Sequence, residues 1–249
     1  MKIAVVGGTG LIGHQVVTKL VGTGHEVVSL SRSSGVDLTT SAGLDTALQG
    51  ADAVVDVSNV GTISRDKAIE FFSTAATNLA RAAEGAGVSR IVVLSIVGVD
   101  RIPFGYYEGK FAQENALKAG AVPVTVLRAT QFHEFADQNL GRVAGPFAMI
   151  PRMRMRPVAS SEVTDELVRL ATVKDSTVDG SIVELAGPEQ HERVDLARRV
   201  VKARRMRKLV IPLTVPGAAG KPMAGGGLLP RGDHLTGTIT FEDWLASSL

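Results

Sequence analysis

Two patterns of apolar and polar residues alternate along the first half of the chain. Short runs of consecutive aliphatic residues predict buried strands, because a strand covered on both faces is apolar at successive positions. Between these runs, apolar residues at three- and four-residue spacing predict amphipathic helices. The predicted strands are Ile3–Val6, Glu26–Leu30, Ala53–Val57, Arg90–Leu94 and Val122–Leu127, and the predicted helices are Gly10–Val21, Ser41–Leu48, Arg65–Glu84 and Lys110–Ala119.

This alternation predicts an α/β fold, a doubly wound parallel sheet with helices on both faces. Beyond residue 140 the pattern is less regular. It predicts a strand at Ser181–Leu185 and helices at Ser161–Thr172, Val194–Arg205 and Phe241–Leu249, with the segment Val210–Val215 before the last helix left unassigned. We expect residues 1–140 to form the core and residues 141–249 to complete the sheet and add a small C-terminal substrate lobe, within one integrated domain.

Composition narrows the functional classes. The 249 residues are 45% hydrophobic, carry a net charge of +2 and include no cysteine. The absence of cysteine excludes disulfides and thiolate chemistry, and the small net charge argues against a nucleic-acid partner. Neither a targeting segment nor a membrane-length apolar run is present, so we expect a cytoplasmic protein without a membrane partner, either a monomer or a homodimer.

The glycine-rich turn after the first strand predicts a dinucleotide site. Strand, glycines and helix follow one another directly, and the spacing fits both Gly8-x-Gly10-x-x-Gly13 and Gly7-x-x-Gly10-x-x-Gly13. Such glycines let the backbone approach a pyrophosphate at a helix N-terminus, although they also serve tight packing alone. The residues that we expect to contact the cofactor here are Gly7, Thr9, Gly10, Leu11, Ile12 and Gly13.

The end of the second strand indicates which dinucleotide is bound. An acidic residue that would hold the ribose of NAD is missing, and Arg32 stands between Ser31 and Ser33. A guanidinium suits a 2′-phosphate, so we predict NADP, with NAD possible and a surface arginine as the alternative. Asp37 and Leu38 follow where the adenine would lie, although Asp37 is equally suited to capping the next helix.

Polar residues at later strand ends complete the predicted site. Ser58 and Asn59 follow the third predicted strand, where they meet the nicotinamide-side ribose or form an ordinary turn. Ser95 follows the next strand and is placed to polarise a substrate carbonyl. Tyr106 and Lys110 are four residues apart and share a helix face, where an ammonium favours the phenolate of a proton-shuttling tyrosine.

These motifs, together with Asp37-Leu38, Ser95–Asp100 and Leu127–Glu134, resemble the atypical short-chain dehydrogenase/reductase superfamily, in its NmrA-like branch. The resemblance is strong over about 140 residues and implies a Rossmann-type NAD(P)-binding fold. It also implies that Tyr106 is the proton donor, that Lys110 binds the nicotinamide ribose and lowers the tyrosine pKa, and that Ser95 orients the substrate. The segment after Arg128, with Thr130, would lie beside the nicotinamide.

The chain departs from the family pattern at two points. Pro103 and Gly105 lie between the serine and the tyrosine, where they alter the entry into the helix. Asn78 is not at the depth where catalytic members carry an asparagine, so cofactor binding is a safer expectation than catalysis.

A substrate site and a basic run are the remaining candidates. Phe104 and Phe132 are expected to contact a small-molecule substrate, with Phe147, Met149 and Met153 as further apolar lining, although core packing explains all five equally well. His133 is expected to contact the substrate or to act as an acid or base, with a hydrogen bond to a loop as the alternative. The basic run from Arg198 to Lys208 is a solvated face or a partner surface. Gly225–Gly227 suggests a mobile loop over a site or a linker, and no motif predicts a metal.

Three hypotheses follow from these residues. The first is an NADP(H)-dependent oxidoreductase that reduces a carbonyl-type substrate through Ser95, Tyr106 and Lys110. The second is a non-catalytic NADP(H) redox sensor that signals through a partner. The third is a nucleotide-sugar epimerase or dehydratase, for which the C-terminal part leaves little room.

Overall fold

The computed structural model describes residues 1–62, 64–137, 140, 145–173 and 176–248. The strands are β1 (Lys2–Val6), β2 (Glu26–Leu30), β3 (Ala53–Asp56), β4 (Arg90–Ile96), β5 (Val124–Ala129), β6 (Phe147–Pro151), β7 (Arg154–Met155), β8 (Ile182–Ala186), β9 (His191–Glu192), β10 (Leu209–Leu213) and β11 (Leu235–Thr236). The helices are α1 (Leu11–Gly22), α2 (Leu44–Ala47), α3 (Arg65–Gly85), α4 (Gly105–Lys118), α5 (Ser160–Thr172), α6 (Arg193–Ala203), α7 (Gly220–Ala224) and α8 (Phe241–Ser247). Leu249, the last residue of the predicted C-terminal helix, lies outside the described residues.

Seven strands form the main sheet in the order β11-β8-β5-β4-β3-β1-β2. β1 pairs in parallel with both β2 and β3, and β3 pairs in parallel with β4. Strand β2 therefore lies on one side of β1, whereas β3 and the strands after it lie on the other side. The direction in which successive strands are added to the sheet reverses at β1. In sheets of this kind ligands bind at the carboxyl ends of the strands at that reversal. The predicted doubly wound parallel sheet is confirmed.

The chain divides into two compact units that interleave along the sequence. The first comprises Met1–Ser95, Gly105–Arg128 and Val163–Val183, and the second comprises Ile96–Phe104, Ala129–Glu162 and Glu184–Leu249. The division predicted at residue 140 stays a prediction.

The core of the first unit explains why its strands form where the sequence predicts them. Ile3, Ala4, Val5 and Val6 of β1 are all almost completely buried, so both faces of the strand are covered. Aliphatic side chains of β1, β3 and β4 pack in one cluster with α3 residues such as Leu79. Runs of consecutive apolar residues are the signal that such doubly covered strands leave in a sequence.

Helix α4 begins at Gly105, five residues before the predicted start at Lys110. Two glycines in the first turns of this helix are needed for close packing. A methyl group on Gly105 would lie 2.6 Å from the Cα of Arg65, and one on Gly109 would lie 2.8 Å from the carbonyl carbon of Ala68. Helix α4 therefore lies directly against α3, and Tyr106 falls in its first turn.

Helix α2 is shorter than predicted. Ser41 and Gly43 have φ angles of 62° and 71°, which are left-handed conformations that a right-handed helix cannot contain. The helix therefore starts at Leu44 rather than at Ser41.

In the second unit Gly225–Gly227 forms a hydrogen-bonded turn, and movement of this segment over a site stays a prediction. Gly225 N–H donates to Lys221 O at 2.8 Å, and Gly227 N–H donates to Pro222 O at 2.7 Å, which closes the end of α7. A methyl group on Gly227 would lie 2.5 Å from Ile102 Cδ1. These glycines serve close packing within the second unit.

Candidate cofactor and active site

The turn between β1 and α1 has the geometry of a pyrophosphate cradle. Gly7 has a φ of 78°, and a methyl group on Gly13 would lie 2.7 Å from Gly8 Cα. Helix α1 starts after Gly10 with no side-chain cap and no acidic residue in its first turn. Its first backbone N–H groups have no partner within the helix, and the helix dipole favours an anion there. The predicted glycine residues therefore fit a dinucleotide.

The turn after β2 presents Arg32. Ser31 N–H donates to Ser34 Oγ at 2.9 Å, and Ser31 Oγ lies 2.8 Å from Ser33 Oγ, so the hydroxyls hold the turn. The Arg32 side chain is exposed. Within the described residues it forms neither a hydrogen bond nor an ion pair. Its guanidinium is thus available to an anion beside the pyrophosphate cradle.

Asp37 closes its own turn. Its Oδ1 accepts from Thr39 N–H at 2.8 Å and from Thr39 Oγ1 at 2.6 Å. These hydrogen bonds hold the pKa of Asp37 below its usual value. Leu38 contributes its carbonyl oxygen to Asn78 Nδ2 at 2.8 Å, which gives Asn78 a structural role. Whether Asp37 also meets an adenine stays a prediction.

The segment after β3 brings Asp56, Ser58 and Asn59 together. Asp56 is buried and its Oδ1 accepts from Ser58 N–H at 2.9 Å. Ser58 Oγ is buried and accepts from Gln113 Nε2 at 3.2 Å. Asn59 instead faces Tyr106, whose hydroxyl donates to Asn59 Oδ1 at 2.9 Å. Asn59 is therefore the hydrogen-bond partner of the tyrosine.

Tyr106 lies in the first turn of α4, with its ring 5.8 Å from that of Phe72. The resemblance implied a tyrosine pKa lowered by Lys110. In the structure, burial of the ring raises the pKa of Tyr106 to about 12. The predicted lowering of the tyrosine pKa is therefore wrong for the protein without a ligand. The Lys110 ammonium donates to Leu94 and Gln113 and not to the phenol.

The Lys110 side chain is buried between α4 and β4. Its Nζ donates to Leu94 O at 2.7 Å and to Gln113 Oε1 at 2.5 Å, and it lies 5.0 Å from the ring centre of Phe72. Burial lowers the pKa of Lys110 to about 8.

Ser95 faces away from this chemistry. Its buried hydroxyl donates to Glu114 Oε1 at 2.5 Å, and Glu114 is also held by Arg128 through Nε at 3.0 Å and Nη2 at 2.8 Å. The Ser95 hydroxyl, which was expected to polarise a substrate carbonyl, is therefore hydrogen-bonded to the carboxylate of the buried ion pair between Glu114 and Arg128. We assign it no contact with substrate.

The remaining predicted residues belong to the second unit. Thr130 is buried and its hydroxyl donates to Arg156 O at 2.6 Å. His133 is completely buried, lies 3.1 Å from Ile239 O through Nε2, and stacks on Trp244. Burial lowers its pKa, and the expected contact of His133 with substrate is wrong because the ring has no exposed surface. Phe104 and Phe132 are half-buried, and their role stays a prediction.

Gln113 is the residue that the sequence analysis missed. It is completely buried, and it links Lys110 to Asp56 because its Nε2 donates to Asp56 Oδ2 at 2.7 Å. A signal was present, since an aspartate in an apolar strand needs a partner when it is buried. Gln113 lies three residues after Lys110 on the same helix, which places both side chains on one face.

The Lys110 environment makes the stability of the protein depend on pH. Its folded pKa of about 8 is below the ordinary value of 10.5, so the unfolded chain binds more protons between these pH values. This contribution is fully present above the ordinary value and is lost as pH falls through the folded value. We expect the free energy of unfolding to rise by up to about 3 kcal/mol across this range. Urea unfolding at several pH values should show this rise, and Lys110→Met should flatten it; an equal slope in both proteins would contradict the assignment.

Within the part of the chain that the structure describes, no helix has the length and apolar character that a bilayer crossing requires. No three His, Asp or Glu side chains of the same part are grouped as metal ligands.

The glycine cradle at the reversal of a doubly wound sheet defines a nicotinamide dinucleotide-binding protein of Rossmann type. A family model described as NAD(P)H-binding matches residues 34–172, which is more than half of the chain. The chain belongs to this NAD(P)H-binding family, and the predicted resemblance and cofactor class are confirmed.

Two curated relatives match the chain over different lengths. Photosystem II assembly factor Ycf39 of Synechocystis is 31% identical over 117 residues, which is 41% of this chain and 36% of the relative. Quinone oxidoreductase 2 of Escherichia coli is 24% identical over 217 residues, 80% of this chain and 73% of the relative. The chain spans less than half the length of the assembly factors that it matches.

Solved structures share the fold. The NADPH-dependent quinone oxidoreductase of Escherichia coli, in complex with NADPH, superposes with a TM-score of 0.72 at 19% identity, covering 99% of both chains. The triphenylmethane reductase of Citrobacter sp., in complex with NADP(H), gives a TM-score of 0.72 at 16% identity, covering 100% of both chains. At these identities the likeness concerns the fold alone.

Proposed function

We propose that the protein is an NADP(H)-dependent oxidoreductase that reduces a carbonyl-type small molecule. The observation that carries this proposal is the pair formed by Tyr106 and Asn59 at the carboxyl ends of the strands. The glycine cradle and Arg32 supply the binding elements for the dinucleotide. The name of the Escherichia coli relative makes quinones the first carbonyl class to test.

In this proposal Tyr106 is a general acid. Its phenol is protonated at neutral pH and so carries a proton to donate to a carbonyl oxygen as negative charge develops there, although a pKa raised to about 12 makes it a weaker acid than an exposed tyrosine. When bound, NADPH supplies the hydride for the carbonyl carbon. Asn59 orients the hydroxyl, and Lys110 is placed to hold the nicotinamide ribose.

Steady-state oxidation of NADPH with a panel of quinones, aldehydes and ketones tests the proposal. We expect turnover of at least one class at a rate that depends on Tyr106. The sensor hypothesis is the second candidate, because the Ser95 hydroxyl is engaged by Glu114 and Lys110 does not contact the phenol. It predicts binding of NADPH without turnover across the panel.

The choice of NADP over NAD is proposed to depend on Arg32. Loss of a charged hydrogen-bonded pair costs about 1.5–3 kcal/mol, so Arg32→Ala should lower the ratio of NADP to NAD affinity by about tenfold or more. Titration calorimetry of both cofactors against both proteins measures this ratio. Arg81→Ala, which removes an exposed arginine on α3, is the matched control. A ratio that is unchanged in Arg32→Ala would rule out the assignment.

A further inference from the structure

The turn from α6 to β10 places an arginine where glycine is ordinarily preferred. Arg205 N–H donates to Lys202 O at 3.2 Å, and Met206 N–H donates to Val201 O at 2.9 Å. These two bonds form a Schellman motif, whose left-handed residue is usually glycine. Arg205 has a φ of 51°. Fold stability alone would favour glycine here, so the arginine side chain points to another role.

The Arg205 side chain lines an open groove of about 450 Å³ along the end of α6. Three other cations, Arg198, Lys202 and Lys208, share the lining with apolar residues that include Met206 and Leu209. Arg198 is paired with Asp195 at 3.0 Å. Within the described residues, no carboxylate pairs with Lys202 or Arg205. The groove therefore carries uncompensated positive charge over an apolar floor.

The apolar floor continues onto the outer face of a small sheet. β10 and β6 pair in parallel, with Leu209 opposite Phe147 and Ile211 opposite Met149. These four side chains are 61%, 54%, 37% and 58% exposed. The alternating residues of the two strands, such as Ile150, are buried beneath them. Two cross-strand pairs of large apolar side chains thus face outward beside the basic groove.

We propose that the groove and the outer face of β6 and β10 together form a docking surface for an acidic, amphipathic peptide segment of a partner protein. Acidic side chains of the segment would meet Lys202 and Arg205, and its apolar side chains would cover Met149 and Ile211. Charge complementarity selects this occupant. A second copy of the chain related by a two-fold axis would bring the same cations together. A membrane surface does not fill a concave groove.

Selection from a random dodecapeptide library displayed on phage tests the surface without a known partner. We compare the native chain with Arg205→Gly, with Met149→Ser, Ile211→Ser and with the control Arg81→Ala. Arg205→Gly should keep the fold and raise the melting temperature by about 2–4 °C, because glycine relieves the left-handed conformation. The native chain and the control should both enrich peptides that combine acidic with aromatic or aliphatic residues.

A selected peptide, labelled and titrated by fluorescence anisotropy, gives the affinities. Arg205→Gly should weaken its binding by about fivefold or more, and Met149→Ser, Ile211→Ser by about tenfold or more. Added salt should weaken binding to the native chain. Identical peptides and affinities in native and variant proteins would overturn the proposal, and so would a selection without acidic enrichment.

The same set of variants tests two alternative occupants of the surface, a membrane and a second copy of the chain. Flotation with vesicles of phosphatidylcholine, with and without phosphatidylserine, tests a membrane, and sedimentation velocity tests self-association. Binding to the anionic vesicles or dimerisation that is lost in Arg205→Gly would replace the peptide proposal. Unbound vesicles and a sedimentation coefficient that is unchanged in Arg205→Gly would support it.

Discussion

Valine in place of Gly10 should abolish binding of NADPH while leaving the fold intact. A methyl group on Gly10 would meet only the carbonyl oxygen of Gly7, at 3.4 Å, so the free protein accommodates it. The same side chain would occupy the space above the first turn of α1, where the pyrophosphate approaches the backbone. We expect calorimetry to show a loss of affinity of about 100-fold or more, which corresponds to about 2.7 kcal/mol.

Gly13→Ala is the informative comparison. Its methyl group would lie 2.8 Å from the carbonyl carbon of Gly7, so the turn itself must move. We expect Gly13→Ala to lose both affinity and stability, with a cost of about 1–3 kcal/mol from overpacking. Normal binding of NADPH by Gly10→Val would show that the cofactor turn is placed wrongly.

Replacing Tyr106 by phenylalanine should lower kcat for carbonyl reduction by about 10²–10⁴, the range of general acid catalysis. The substitution removes only the hydroxyl, so the ring contact with Phe72 and the affinity for NADPH should persist. Tyr107→Phe is the matched control, since it removes the hydroxyl of the only other tyrosine in the chain. Stopped-flow or steady-state measurements with the best substrate of the panel provide the readout.

Comparison of Tyr106→Phe with Tyr107→Phe distinguishes a role of Tyr106 in proton donation from a structural effect of the substitution. A substrate that Tyr106→Phe reduces as fast as the native protein would rule out Tyr106 as the general acid, while the cofactor assignment would stand. Turnover that falls equally in Tyr106→Phe and Tyr107→Phe would indicate a structural effect of the α4 N-terminus.

The sequence predicted the parts of the fold that depend on local pattern. Apolar runs such as Ile3–Val6 identified the strands, and the glycines after β1 identified the cradle. The start of α4 was predicted five residues late, and the packing role of Gly105 and Gly109 was not predicted. Their function becomes visible only when Arg65 and Ala68 of α3 are packed against them.

The sequence named candidate site residues but did not predict their contacts. The partner of Ser95 is Glu114, nineteen residues later, and that of His133 is Ile239, more than a hundred residues later. No short-range pattern specifies such pairs. The same holds for Tyr106, whose raised pKa follows from burial of its ring and not from its spacing to Lys110.

The buried pair of Glu114 and Arg128 has a consequence for motion in the first unit. The two side chains are 1% and 8% exposed, and they join the middle of α4 to β5. Separating them would leave an uncompensated buried charge at a cost of about 3–5 kcal/mol. Local unfolding of that stretch of α4 therefore carries this additional cost.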